Sequence, residues 1–159
     1  MRAYFFGNMY LSSIQQGIQA AHVITNIFTK YDPGVDKEAD ILYEWALEHE
    51  TMVLLNAGYS ENIRDLLSFF DDPENPYPWS EFHEGEDALD CALTDVGIIL
   101  PEKIYEGAKE LRANPCAPTT LIEEGKLHLF TGTTGAHTEE YTKWEAYLMN
   151  KLNTFGLAK

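Results

Sequence analysis

The chain has 159 residues, enough for one domain to bury a core without disulfide or metal support. Hydrophobic residues make up 45%, a globular composition, while 11 Lys and Arg stand against 26 Asp and Glu, a net charge of -15. That balance argues against long nucleic acid as the main partner, because such binding gains from cations that displace counterions from phosphates. The few cations are also scattered: Arg2 is the only Lys or Arg before Lys30, and none lies between Arg64 and Lys103. No apolar run reaches bilayer-spanning length, and the apolar stretch in Met1 to Asn8 is too short for a secretory signal. A cytoplasmic chain with no membrane partner is expected. The two cysteines, Cys91 and Cys116, belong to no Cys-x-x-Cys pair and suit a reducing compartment, so neither a metal nor a cofactor is expected.

In chain order, aromatic-rich Ala3 to Leu11 reads as a first strand. Ser12 or Ser13 then caps a helix that runs to about Lys30, with Ile14, Ile18, Ala21, Thr25 and Phe28 as its apolar stripe. Asp32-Pro33-Gly34 is a turn, and Asp36 caps a second helix lined by Ile41, Leu42, Trp45 and Ala46. Thr51 to Leu55 is a continuous apolar run, as in a buried central strand. Ser60, Ile63, Leu66, Leu67 and Phe70 mark a third helix, ended by the acidic, Pro-rich loop Asp71 to Pro78. Trp79 to Phe82 and Ala92 to Leu100 read as further strands, and Pro101 opens a helix through Leu111. Asn114 to Thr120 reads as a loop and Lys126 to Phe130 as a short strand. Thr138 is expected to cap a final helix with Tyr141, Trp144, Leu148, Leu152 and Phe155 on one face and Gly156 past its end. This alternation predicts an α/β fold: a mixed sheet covered by helices.

Two segments then point further. Gln15-Gln16-Gly17-Ile18-Gln19-Ala20-Ala21-His22 opens the first helix directly after the first strand. Phe82-His83-Glu84-Gly85-Glu86-Asp87-Ala88-Leu89 precedes Leu93-Thr94-Asp95-Val96-Gly97-Ile98, and Trp45 stands before the second strand. Together, in order and spacing, these segments resemble the type-2 peptidyl-tRNA hydrolases over about residues 3 to 100. The resemblance implies a mixed four-stranded sheet flanked by helices in residues 1–100, with 101–159 as a C-terminal helical extension packed on the same domain. It also implies hydrolysis of the ester joining a peptide to the tRNA 3′ end. Gln19 and His22 match the family's helix motif, Glu84 its acidic position and Thr94 its late threonine. Gln15 occupies the position of the family's lysine, and a glutamine supplies no charge for phosphate or a developing oxyanion.

From the residues themselves, Gln15, Gln19, His22 and Asn26 form one polar stripe at i, i+4, i+7 and i+11, starting just after a strand, where α/β proteins bind ligands. An ordinary solvated face is the bland alternative. An imidazole at His22 suits proton transfer. In His83-Glu84-x-Glu86-Asp87 with Asp90, a carboxylate can orient water, although a plain acidic turn fits equally, and no recognised metal loop is present. Gly132-Thr133-Thr134-Gly135 lacks the lysine of a phosphate-binding loop and reads as a capping loop.

Three functions follow as expectations. The first is an ester hydrolase in which His22, Glu84 and Thr94 carry the chemistry and Gln15, Gln19, Asn26 and His83 hold the substrate. The second is a binding protein that uses the same cleft for a small nucleotide-like ligand, for example a virus-encoded sponge for a nucleotide immune signal. The third is a protein-interaction module, with the Tyr141 to Phe155 face as a homodimer seam.

Overall fold

A computed structural model describes residues 1–113, 122–123, 126–130 and 138–158. They divide into two units, Met1–Leu100 with Gly156–Lys159, and Pro101–Phe155.

The first unit opens with strand β1 (Arg2–Asn8) and helix α1 (Ser13–Lys30). Ser12 is the N-cap of α1, and its hydroxyl accepts from the Gln15 amide. The Gln15 carboxamide oxygen accepts from the Ser12 amide at 2.9 Å, closing a capping box that fixes where the helix starts. Helix α2 (Lys37–Glu48) follows a turn in which Gly34 takes φ +79°. Strand β2 (Met52–Gly58), helix α3 (Ser60–Phe70), strand β3 (Trp79–His83), the single turn α4 (Glu86–Leu89) and strand β4 (Leu93–Leu100) complete the run.

The sheet order is β3-β4-β1-β2, with β1 and β2 parallel and β4 antiparallel to both β1 and β3. A fifth strand, the two-residue β8 (Gly156–Leu157), pairs antiparallel beside β2. The fold is therefore α/β, with a five-stranded mixed sheet where four strands were expected. Gly156 pairs there with Asn56 instead of merely ending a helix.

Successive residues of β1 point to opposite faces and so divide the core. Phe5 packs with Ala20, Val23 and Ile27 of α1 and with Leu42 and Trp45 of α2. Phe6 turns the other way and meets Phe70 of α3, ring centroids 5.8 Å apart. Helices thus cover both faces, and β4, buried along its whole length, lies between them.

The expected apolar stripe of α1 is overturned. Ile14 is 77% exposed and Ile18 50%, and Ala21, Thr25 and Phe28 also face outward. The buried face is Gln16, Gln19, Ala20, Val23 and Ile27. Two arcs of this helix carry apolar residues, and the inner one reads as the less apolar because two glutamines lie on it.

In the second unit, helix α5 (Glu102–Ala113) precedes a small antiparallel sheet of β5 (Ile122–Glu123), β6 (Lys126–Phe130) and β7 (Thr138–Thr142), and then helix α6 (Lys143–Leu152). Thr138 begins a strand, contrary to expectation. The N-cap is Thr142, whose hydroxyl accepts from the Glu145 amide in a capping box that fits the helix start better than Thr138 does. The nearly buried Glu145 also pairs with Lys103 at 2.7 Å, and Tyr141 Oη donates to the Lys103 carbonyl. On the face expected to form a dimer seam, Tyr141, Trp144 and Leu148 are buried, while Leu152 and Phe155 are partly exposed. The extension is accordingly helical only in part. The segments 114–120 and 132–135 lie outside the described residues. Among the described residues no helix is long and apolar enough to cross a membrane.

Candidate functional site

Helix α1 lies along β3 through three polar or aromatic contacts. Gln19 Nε2 donates to Glu84 Oε1, His22 stacks on Phe82 with centroids 4.3 Å apart, and Asn26 Nδ2 donates to the Glu81 carbonyl at 2.8 Å. The polar stripe read from the sequence therefore borders a packed seam, and the structure brings Gln19, His22, Asn26 and Glu84 together.

The other marked residues stand apart from these contacts. Gln15 is exposed and its carboxamide oxygen serves the capping box. His83 is exposed, with Nδ1 3.1 Å from the Cys91 carbonyl, so it closes the turn that carries Glu84. The Glu84 amide donates to the Ala92 carbonyl across the same turn, where Asp90 and Cys91 take φ of 50° and 57°. Thr94 is the extra residue of a bulge between the pairs Phe82↔Asp95 and His83↔Leu93; its buried hydroxyl has no hydrogen-bond partner among the described residues.

Two residues outside the predicted set complete the site: Gln16 and Asp95. Their placement follows from packing. A side chain added at Gly7 would meet the Gln16 carboxamide at 3.3 Å, and one added at Gly97 would meet Val23 and Phe5. Since Phe5 pairs with Gly97, α1 runs back along β1, from Gly7 toward Phe5, and therefore in the direction of β4. Four helical residues back from Val23 is about 6 Å, and two strand residues back from Gly97 is about 6.6 Å. By this spacing Gln19 comes level with Asp95 along β4. Gly7 lies two residues past the end of the β1–β4 pairing, with Gln16 over it.

This is also where the sheet opens. Pairing of β1 with β4 ends at Phe5↔Gly97, while β1 continues to Asn8 beside β2 and β4 starts at Leu93 beside β3. The opening flanks the carboxyl end of β1, the end at which α/β sheets bind ligands.

Buried acceptors without partners lie beside it. Asp95 is 1% exposed, Gln16 3% and Gln19 7%. Both Asp95 carboxyl oxygens and the Oε1 atoms of Gln16 and Gln19 lack hydrogen-bond partners among the described residues. The two side-chain amides are already used, Gln16 Nε2 on the Leu11 carbonyl and Gln19 Nε2 on Glu84. Burial pushes the Asp95 carboxyl well above the usual carboxylate range; the amides of Val96 and Phe6 oppose this from nearby without completing a hydrogen bond of good geometry. No ion pair among the described residues involves Asp95 or Glu84. Nor is any group of three or more His, Cys, Asp or Glu among them placed to hold a metal ion.

Compared with known proteins, the chain matches no family model and no curated sequence.

Proposed function

We propose that the chain is a binding protein that holds a small polar ligand, without turnover, where α1 crosses the carboxyl end of β1 and the start of β4. Nucleotide-like compounds are the first class to test, as the sequence resemblance suggests. The observation that carries this reading is the set of buried acceptors without donors on Asp95, Gln16 and Gln19. Each buried polar group left unpaired costs about 1–3 kcal/mol, and a ligand carrying N–H or O–H donors recovers that cost.

Ester hydrolysis is the second reading, favoured by the contact between Gln19 and Glu84 with His22 one turn along α1. It needs a group to stabilise the oxyanion, and the chain offers Gln15 where a lysine is expected, with its side chain engaged at the helix cap. Binding is therefore the better account.

Calorimetry against the four ribonucleosides and their 5′-monophosphates tests it. At least one nucleoside should bind saturably, and its monophosphate no more tightly, because acceptors and carboxylates offer phosphate nothing. Absence of binding by every compound would overturn the nucleotide-like class of ligand. Peptidyl-tRNA should remain intact with the protein at high concentration and low salt; its cleavage would restore the hydrolase reading.

A further inference from the structure

We propose that Asp95, Gln16 and Gln19 form a seat for a primary ammonium group of the ligand. The inference rests on this end of the sheet being the ligand site and goes on to name the chemistry of its buried part.

An ammonium carries three N–H donors and no acceptor. With Asp95 ionised, the three side chains offer four unpaired oxygen acceptors, and one amide hydrogen of each glutamine is committed, to Leu11 and to Glu84. Asp95 on β4 and Gln16 and Gln19, one turn apart on α1, supply these four oxygens, enough for all three donors. A neutral hydroxyl or amide ligand would satisfy fewer of these atoms, and a phosphate or carboxylate would meet them with like charge. Glu84, held at the rim by Gln19, adds a second negative group on the approach. The chain's net charge of -15 draws cations toward it.

Entry of the cation changes the proton balance. Asp95 is buried with no compensating charge, which favours its neutral form; an ammonium beside it favours the carboxylate. The Asp95 proton passes to solvent as R–NH3+ enters, so the buried pair is neutral overall. The amides of Phe6 and Val96 lie against Asp95 in this exchange, Gln16 and Gln19 come from α1, and Glu84 is the charged group held against Gln19.

Such an ammonium occurs on amino-acid derivatives and on polyamines, and the test separates them. Glycinamide, N-acetylglycinamide and spermidine are titrated calorimetrically into the protein in two buffers of different ionisation heat. Glycinamide or spermidine should bind with net release of protons, and N-acetylglycinamide should not bind. Tighter binding of glycinamide assigns the seat to an amino-acid derivative, and tighter binding of spermidine to a polyamine. Asp95→Asn should weaken the better ligand about tenfold or more, the loss expected for a charge-assisted hydrogen bond. Where that variant does not fold, Gln16→Leu serves in its place with the same direction of effect. Failure of both amines, equal binding of the acetylated compound, or binding that these substitutions leave unchanged overturns the ammonium seat. Nucleoside binding without amine binding would overturn this inference alone, whereas silence from amines and nucleosides together removes the binding-protein reading as well.

Discussion

At the residue scale, Asp95 governs the account. A carboxyl at 1% exposure without a partner is costly when ionised, so it prefers to be neutral in the folded chain. The sign for stability follows. Below the ordinary value of 3.8 the group is neutral in both folded and unfolded chains and adds no penalty. As pH rises past 3.8 the unfolded chain releases its proton more readily, so stability is lost until the raised folded value is passed. Asp95→Asn keeps the shape without the titration. Thermal melting should show its advantage over the natural chain growing from pH 4 to pH 8; an advantage that stays level or shrinks would contradict the burial argument. The sequence held a signal for this residue that periodicity did not use: Asp95 is the one charged side chain in the otherwise uncharged run Leu93 to Leu100. Gln19 and His22 were legible because they sit in a motif with fixed spacing. Gln16, beside them, was not, because the stripe through Gln15 drew the polar reading to a residue that caps the helix.

At the element scale, the phase of α1 decides what the site contains. Its outward arc of Ile14, Ile18 and Phe28 gives the stronger apolar pattern, yet the helix packs through Ala20, Val23 and Ile27 and takes Gln16 and Gln19 inside with them. Single-helix periodicity cannot reveal this choice; the sheet makes it, because Gly97 leaves room for Val23 and Phe5. A methyl at Gly97 would stand 2.7 Å from the Phe5 ring and 2.9 Å from Val23. Gly97→Ala should therefore destabilise the fold by about 1–3 kcal/mol through overpacking, measured by urea denaturation, and a neutral result would contradict the close packing of α1 on β4. The run of elements and most boundaries in residues 1–100 were readable from caps, turns and apolar runs. The strand at Thr138 and the two-residue β8 were not, since short edge strands depend on a partner far along the chain.

At the scale of the whole molecule, charge and architecture agree. Helices on both faces shield the central strands, and buried acceptors lie beside the opening at the carboxyl end of β1 in a chain of net charge -15. Long polyanions are repelled by such a molecule, whereas small donors and cations are drawn to it. The most direct test of the central claim, that this opening is the ligand site, is an amide-resolved NMR titration with the four ribonucleosides. Saturable shifts gathered at Gly7, Gln16, Gln19, Phe82, Glu84 and Asp95, with a nucleoside or with glycinamide or spermidine added in turn, are the predicted result; shifts gathered instead on α3, across the sheet, or no saturable shift with any of these compounds would contradict it.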